Sequence, residues 1–351
     1  MKTLNNKTNF IHTRILLLLA PAICISLLTA CGKARPEPAT AYIPKDYLQE
    51  STLLEYDLNT FNTIPNNPNA ALSVPTYITK VQDTYFIVDC YHNQVIYHDN
   101  LTDPLYEWQL MTSDINMGHT LASDGQVYLI DDTENNRILI MEKMTNENGM
   151  DVYVPTQEFR NIGNRPHYII YDEYTDTFYA WSSQSGEMYL FRHAESDTRM
   201  YLTEVRTIPS LNGVYVRSFT IIENRVYFVS GNSTIIEADL YDFKISKEYA
   251  VPAQMAGMIQ LTPIEDYFYI TISTDNTGNQ DYATLLRVKD LDDLATGKYE
   301  DVYSNFIGGG TPYYITQIEG TWYLTEHRLP GHSIWSFKVQ DNTITDVTFI
   351  Y

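Results

Sequence analysis

The sequence predicts an all-β fold, a six-bladed β-propeller with four antiparallel strands in each blade. A repeat is the first reason, because residues 75–97 align with residues 118–140 without a gap. Spacing is the second, since four short alternating runs recur about every 40 to 55 residues with no helical period between them. Composition is the third, because 29 tyrosines among 351 residues suit pleated, half-buried surfaces.

The repeated unit occurs six times, and its second strand is the most regular part. These second strands are predicted at 85–89, 128–132, 178–182, 226–230, 267–271 and 322–326. A fourth strand is expected after each copy, for example at 105–108, 152–154, 201–205 and 347–350. A four-stranded sheet cannot bury both faces alone, so we expect the copies to stack around a central axis. A seven-bladed ring or a sandwich is the alternative.

One further strand-like run, at residues 52–58, precedes the first blade. A propeller ring has to be closed, because blades are stable only when each packs against two neighbours. We expect this run either to close the ring as a clasp on the last blade or to stay outside it. A position outside the ring is considered because the last blade already has four predicted strands of its own.

The first 31 residues have the pattern of an export signal. A basic, acid-free start precedes an apolar run at 15–30, which contains Pro21 and leads into Leu28-Thr29-Ala30-Cys31. The run has 16 residues and falls short of the ~20 that a membrane-spanning helix needs. The four residues resemble the lipobox of bacterial lipoproteins, in which the signal is cut before an acylated cysteine. The resemblance implies lipidation of Cys31 and a location outside the cytoplasm, on the cell membrane or outer envelope; an ordinary signal peptide is the alternative.

These features divide the chain into three parts. Residues 1–30 are predicted as the signal peptide, 31–50 as the lipidated cysteine with a flexible proline-containing stalk, and 51–351 as the propeller domain. Cys90 is then the one unmodified thiol of the mature chain, which excludes an intramolecular disulfide. Stability is expected to come from the core, for which about 300 residues are ample.

The charge of the chain limits its partners. A formal net charge of −21 argues against nucleic acid and anionic lipid, because binding phosphates needs basic patches. The membrane is therefore expected to be reached through the lipid anchor alone. A protein, peptide or glycan is the expected ligand.

Two copies of the repeat carry a short motif. Asp89 is followed by Asn93-Gln94-Val95, and Asp132 by Asn136-Arg137-Ile138. This pattern resembles NHL-type repeats, which build six-bladed propellers, and the specific match covers roughly residues 75–192. The resemblance supports the fold but leaves function open, because such families bind proteins, nucleic acids or small molecules and some are enzymes.

The first strand of each blade lines the channel of a propeller, so one register supplies candidate ligand-facing residues. These residues are Thr76, His119, His167, Ser218, Tyr313 and either Ile259 or Gln260. Two histidines on neighbouring blades are able to bind a metal or act as a general base, because neutral imidazole has an available lone pair. The alternative is that each histidine hydrogen-bonds a carbonyl or a channel water.

A second candidate ring lies at the ends of the second strands, at Asp89, Asp132, Ser182 and Glu326. The resemblance implies that the acidic residue ties down the following turn. Glu326 lacks the turn asparagine, and His327 beside it points to the opposite face of the strand. Six-bladed lactonases and esterases hold calcium at the channel, but residues 275–281 lack the spacing of the twelve-residue calcium loop.

These observations favour a lipid-anchored recognition protein that binds a protein, peptide or glycan at one mouth of the channel. The first alternative is a hydrolase or lyase of the lactonase or esterase kind, using His119 and His167. No cofactor is expected, except that this enzyme alternative leaves a divalent cation open. The second alternative is a structural subunit of an envelope complex.

Overall fold

A computed structural model describes residues 38–61, 63–275, 277–279, 282–306, 310–327 and 333–351. The predicted signal peptide and Cys31 lie outside the described residues. Within those ranges, no helix combines the length and the apolar character that a membrane crossing requires. Six sheets account for the strands of these ranges, which confirms the predicted six-bladed all-β architecture.

The chain enters through two short strands, β1 (Gln49–Glu50) and β2 (Thr52–Leu53). The six blades then follow in sequence order, with four strands in each and the innermost strand first.
Blade 1 consists of β3 (Pro75–Val81), β4 (Thr84–Asp89), β5 (Gln94–His98) and β6 (Gln109–Thr112).
Blade 2 consists of β7 (Leu121–Ser123), β8 (Val127–Asp132), β9 (Arg137–Thr145) and β10 (Asp151–Arg160).
Blade 3 consists of β11 (Pro166–Asp172), β12 (Thr177–Ser182), β13 (Glu187–His193) and β14 (Met200–Thr207).

The second half of the ring repeats this order.
Blade 4 consists of β15 (Val216–Ile222), β16 (Arg225–Ser230), β17 (Thr234–Asp239) and β18 (Ile245–Ala250).
Blade 5 consists of β19 (Met258–Ile264), β20 (Tyr267–Ile272), β21 (Thr284–Val288) and β22 (Glu300–Asp301).
Blade 6 consists of β23 (Thr311–Ile318), β24 (Thr321–His327), β25 (Ile334–Gln340) and β26 (Thr343–Phe349).
Short 3-10 helices join the strands at Leu58–Thr60, Cys90–His92, Leu105–Glu107, Thr133–Asn135, Pro209–Leu211, Ala253–Gly257, Leu291–Thr296 and Tyr303–Asn305.

The cores of the molecule lie between blades. Five of the apolar clusters in the described residues each join two neighbouring blades, and the sixth joins blades 3 and 4 and reaches residues of blades 5 and 6 near the axis, so that together they cover every interface of the ring. Phe86 and Trp181 are among the fully buried side chains of these interfaces. Each such side chain stabilises the fold by about 1.5–3 kcal/mol, so radial stacking replaces a single central core.

The first and last blades meet directly. Thr325 Oγ1 donates to the Thr76 carbonyl at 2.8 Å, and Thr316 Oγ1 donates to the Ile78 carbonyl at 2.9 Å. Tyr351 adds a third contact, because its hydroxyl accepts from Trp108 Nε1 at 2.9 Å. Side chains therefore hold the seam of the ring together.

Of the two outcomes left open for the N-terminal run, the clasp on the last blade does not occur. Strand β2 pairs with β10 on the outer edge of blade 2, and β1 pairs with β14 on the outer edge of blade 3. Blade 6 supplies all four of its own strands, so the ring closes without the N-terminal run. Residues 49–53 thus become fifth strands that cover two exposed sheet edges.

The end of the predicted stalk also packs on blade 3. The rings of Tyr42 and Tyr47 lie 6.0 and 4.8 Å from the ring of Tyr201, between centroids. Arg192 of blade 3 donates to the Thr40 carbonyl at 3.0 Å. Part of the segment expected to be a flexible spacer is therefore held against the propeller.

The fourth strand of blade 1 lies later than predicted. Residues 105–108 were expected to form it, but Leu105–Glu107 is a 3-10 helix and the strand is Gln109–Thr112. Pro104 precedes the helix and has no N–H to contribute to a ladder, while Trp108 is fully buried. The aromatic residue that made the run look like a strand instead fills the interface with blade 6.

Candidate functional site

The channel has one mouth where the innermost strands begin and the second strands end, here called the upper mouth. At this mouth the pairing register shifts at the start of the innermost strand in blades 1, 3, 4, 5 and 6. A β-bulge re-aims the side chain of its extra residue. The residues within these bulges are Thr76, His167, Arg217, Ser218, Ile259, Tyr313 and Tyr314.

The side chains of four predicted channel residues join blades to one another. Thr76, His167, Ser218 and Gln260 belong to a ring of hydrogen bonds that crosses every interface between innermost or second strands. Its contacts are Thr76 Oγ1 to His119 O at 2.8 Å, Ile169 N to Thr120 Oγ1 at 2.9 Å, His167 Nδ1 to Arg217 O at 3.1 Å, Ser218 Oγ to Ile259 O at 2.5 Å, Ile315 N to Gln260 Oε1 at 2.6 Å, and Thr325 Oγ1 to Thr76 O at 2.8 Å.

Aromatic rings fill the middle of the channel. Tyr314 is fully buried, and its ring centroid lies 4.9 Å from that of Tyr168 and 6.1 Å from that of Tyr77. Its hydroxyl lies 3.3 Å from the Arg217 carbonyl. These three tyrosines, here called the tyrosine plug, pack together below the upper mouth.

His119 and His167 meet as the sequence predicts, but they stack face to face. Their ring centroids are 3.7 Å apart with an angle of 24° between the planes. A metal ion bound to a histidine lies close to the plane of that ring, about 2.0–2.1 Å from the nitrogen. Two nearly parallel rings at this separation are not placed to share one ion.

His167 is a neutral imidazole with a defined tautomer. Nδ1 lies 3.1 Å from the Arg217 carbonyl, which only accepts, so Nδ1 carries the proton. Nε2 therefore accepts, and the hydroxyls of Tyr215 and Tyr313 lie 3.4 and 3.3 Å from it. Burial lowers the pKa of His167 well below its usual value, and the nearby positive charges lower it further.

His119 is oriented from behind by a buried carboxylate. Its Nδ1 lies 3.0 Å from Thr133 Oγ1, and this hydroxyl lies 3.0 Å from Asp131 Oδ2. The Pro166 carbonyl lies 2.8 Å from the same hydroxyl, so its single proton is directed at these two acceptors and Oγ1 accepts from Nδ1–H. Nε2 of His119 is thereby left as an acceptor that faces Cys90 Sγ at 3.8 Å.

Two arginines flank His167 at the upper mouth. The guanidinium of Arg217 lies over the Tyr215 ring at 4.5 Å and reaches the Asp275 carbonyl at 3.4 Å. Among the described residues, no carboxylate lies within ion-pair distance of Arg217. Arg165 pairs with Glu134. Its Nε atom is nevertheless buried and has no hydrogen-bond partner among the residues that the structure describes. The mouth therefore presents cationic donors in a chain of net charge −21.

Tyr313 completes this set of donors. Burial raises the pKa of Tyr313 well above its usual value, so its hydroxyl stays protonated. His327 lies beside it, with a ring separation of 5.8 Å, and its Nδ1 lies 2.9 Å from Thr311 Oγ1. An anionic group at this mouth would meet guanidinium and phenol donors, which are suited to carboxylate or phosphate oxygens.

Three members of the predicted second ring anchor the chain as it enters blades 1, 2 and 3. Asp89 Oδ1 accepts from the backbone N–H groups of Ser73 and Val74 at 3.0 and 3.1 Å, just before β3. Asp132 accepts from Asn116 N at 2.7 Å, and Ser182 accepts from Asn164 N at 2.7 Å. These side chains hold the segments that precede the innermost strands, in addition to the turns that follow them.

Glu326 has a different environment. It is fully buried, accepts from Trp335 Nε1 at 2.9 Å, and also bonds the Tyr303 hydroxyl. Asp275, in the loop considered for calcium, accepts the N–H groups of Thr277 and Asn279 at 2.8 and 3.0 Å, as a polar hairpin tip does. The ranges that the structure describes contain no group of three His, Cys, Asp or Glu side chains placed for a metal ion.

A separate cavity opens at the opposite mouth, between blades 1, 2 and 3. It has a volume of about 570 Å³ and is lined by side chains that include Tyr77, Lys80, Asp124 and Ile170. Asp124 is neutralised there by His193, whose Nε2 lies 2.6 Å from Oδ2. The tyrosine plug lies between this cavity and the two stacked histidines.

Sequence reasoning missed several residues of the upper mouth, notably Arg217, Tyr215, Asp131 and Met117. Ser218 was predicted as the channel residue of blade 4, one position after Arg217. Val216 pairs with Ser230 as Pro166 pairs with Ser182, so Arg217 and not Ser218 is the counterpart of His167. Matching the second strands of the copies, and counting back through the hairpin, would have found it.

No family model and no curated protein matches the sequence. Solved structures are similar in fold. A Bacteroides fragilis protein, provisionally assigned as a 6-phosphogluconolactonase, has a TM-score of 0.55 and 13% identity, covering 88% of this chain and 92% of that one. A Bacteroides uniformis protein with the same provisional assignment has a TM-score of 0.54 and 12% identity, covering 80% and 85%. Streptogramin B lyase has a TM-score of 0.50 and 15% identity, covering 84% and 86%. At these identities the likeness shows the fold alone.

Proposed function

We propose that this chain is a recognition protein that binds an anionic group of a protein, peptide or glycan at the upper mouth. The observation that carries the proposal is the nearly buried Arg217, which has no ion-pair partner among the described residues. A buried guanidinium with no carboxylate in ion-pair contact is costly unless a ligand supplies the counter-charge. The partnerless Nε of Arg165 points to the same requirement.

The surroundings of Arg217 suit a ligand with a polar backbone or ring. Tyr215 and Tyr313 offer hydroxyl donors and aromatic faces, and peptides or sugars bind well to such mixed surfaces. His167 stays neutral because burial lowers its pKa, so it adds hydrogen bonding without adding charge. Negative charge over the rest of the surface would repel acidic molecules that do not fit this mouth.

Binding can be measured with two probes by calorimetry. The first is 6-phosphogluconate, which carries a carboxylate and a phosphate; the second is an N-acetylated hexapeptide with a free carboxyl terminus. We expect at least one probe to bind, and Arg217→Gln to weaken its affinity at least tenfold, because a charge-assisted contact is worth about 1.5–3 kcal/mol. Arg287→Gln is the matched control, since Arg287 also lies 4.5 Å over a tyrosine ring but on the outside of blade 5.

Two results would count against this assignment. One is that neither probe binds at millimolar concentration to the folded protein. The other is that Arg217→Gln and Arg287→Gln change the affinity equally.

The hydrolase or lyase alternative is favoured by one feature, the chain of contacts from Asp131 through Thr133 to His119. Such a chain keeps Nε2 free to take a proton, as a general base requires. Two of the similar structures are provisionally assigned as lactonases, and another is a lyase. Chemical conversion of a bound probe, lost in His119→Gln, would replace the binding proposal with this one.

We also propose that a lipid tethers the protein outside the cytoplasm through Cys31. Support comes from Leu28-Thr29-Ala30-Cys31 after a short apolar run. Cells grown with labelled palmitate should incorporate the label into the wild-type protein and into Cys24→Ser, but not into Cys31→Ser. Absence of the label from the wild-type protein, or its retention in Cys31→Ser, would contradict the tether.

A further inference from the structure

Three soft donor atoms converge beside the stacked histidines. Cys90 Sγ lies 3.8 Å from His119 Nε2 and 4.0 Å from Met117 Sδ. A metal ion bound about 2.3 Å from sulfur and about 2.0–2.1 Å from nitrogen separates its ligands by about 3.5–4 Å. The two distances measured from Cys90 Sγ therefore match the separation of neighbouring ligands around a single ion.

The imidazole is already aimed at the sulfur atom. His119 is 6% exposed, and Cys90 Sγ is the partner that the structure gives to its Nε2. The other ring nitrogen donates to Thr133, which is held in turn by Asp131. Histidine ligands of metals are fixed in this way, by a second hydrogen bond that leaves the lone pair of the binding nitrogen outward.

The thioether is held in place by the neighbouring blade. Met117 has a left-handed backbone conformation, with φ of 57°, and its N–H donates to Asn93 Oδ1 at 2.9 Å. Cys90 is fully buried, whereas Met117 is partly exposed. An ion would therefore reach the thiol from the solvent along the methionine side chain.

We propose that Cys90, Met117 and His119 form a binding site for a monovalent soft metal ion of the Cu(I) type. A thiolate and a thioether together select Cu(I) over harder ions such as Mg²⁺ or Ca²⁺. Binding forms bonds from the metal to Sγ, Sδ and Nε2, and the thiol proton is released to solvent, so one H⁺ leaves for each ion bound. His167 is excluded from the set, because its ring is stacked on that of His119.

The site can be tested on the folded full chain under anaerobic conditions, with Cu(I) in competition with a chromophoric Cu(I) chelator. We expect one ion per chain, with X-ray absorption showing sulfur and nitrogen neighbours at the distances given above. Met117→Leu should weaken Cu(I) binding at least tenfold, and Cys90→Ser about a hundredfold or more. Met150→Leu is the control, since Met150 is also partly exposed but lies in a hairpin of blade 2.

Folding of each variant is checked by its thermal transition. Met117→Leu keeps the test decisive even if Cys90→Ser fails to fold, because Met117 is partly exposed and isosteric in volume with leucine. Failure of the wild-type chain to take Cu(I) from the chelator would overturn the site. Equal affinity of Met117→Leu and Met150→Leu for Cu(I) would also overturn the site. The anion-binding proposal is independent of this result, because Arg217 is not among the three ligands.

Discussion

Replacing Asp131 with alanine is expected to lower the free energy of unfolding by about 3–5 kcal/mol. Asp131 is fully buried and accepts from His119 N at 2.8 Å, Thr120 N at 2.6 Å and two threonine hydroxyls. Its removal leaves the two backbone donors buried without a partner, and each unsatisfied group costs about 1–3 kcal/mol. The threonines lose less, because Thr133 still reaches the Pro166 carbonyl.

Urea unfolding followed by tryptophan fluorescence measures this change. Asp83→Ala is the control, since Asp83 is exposed in the first turn of blade 1 and its loss should change stability by less than about 0.5 kcal/mol. A drop of less than 1 kcal/mol for Asp131→Ala would show that the loop before β7 does not depend on this carboxylate.

Stability is expected to fall by about 3 kcal/mol as the pH rises from 6 to 10, through the ion pair of His193 with Asp124. Both ring nitrogens of His193 must donate: Nε2 lies 2.6 Å from Asp124 Oδ2, and Nδ1 lies 2.7 Å from the Ala194 carbonyl. Burial opposes the charge, but these hydrogen bonds outweigh it and raise the pKa of His193 to about 9. The usual value of 6.5 applies in the unfolded chain.

The sign follows from these two values. Because the folded-state pKa is the higher one, the stabilisation is fully present below about pH 6.5 and is lost as the pH rises through about 9. The free energy of unfolding from urea titrations at pH 6 to 9.5 gives the slope, and tyrosines with raised pKa values remain protonated over this range. His193→Gln should flatten the slope, whereas His98→Gln, on a partly exposed side chain of blade 1, should leave it unchanged. A slope that persists in His193→Gln would assign it to other groups.

The architecture follows from the repeated pattern because every blade solves the same packing problem with the same alternation. The way in which the first and last blades join to close the ring does not follow from this repeated pattern. The seam depends on single side chains such as Thr325 and Tyr351, which carry no periodic signal. Of the N-terminal run at 52–58, only Thr52–Leu53 is a strand, and a 3-10 helix begins at Leu58. An extended segment can pair with any free edge, and its sequence does not say which.

The candidate site shows a similar division. His119 and His167 were found because they recur at one register, whereas Arg217 lies in a bulge that shifts the count by one. Asp131 was passed over in favour of Asp132, since the repeat aligns Asp132 with Asp89. Neighbouring residues in a strand face opposite ways, so the two carboxylates serve different purposes. Asp132 anchors the loop before β7, and Asp131 orients His119. Cys90 was expected to be an inert thiol, and burial does raise the pKa of this thiol. The sequence does not show that His119 and Met117, from another blade, lie beside it.

The tyrosine plug lies between the two mouths of the channel, where the ring of the fully buried Tyr314 contacts those of Tyr168 and Tyr77. A molecule near Arg217 and a molecule near Lys80 would therefore occupy separate spaces and would not compete sterically. Displacement of the three rings is one route by which occupancy of one mouth would act on the other.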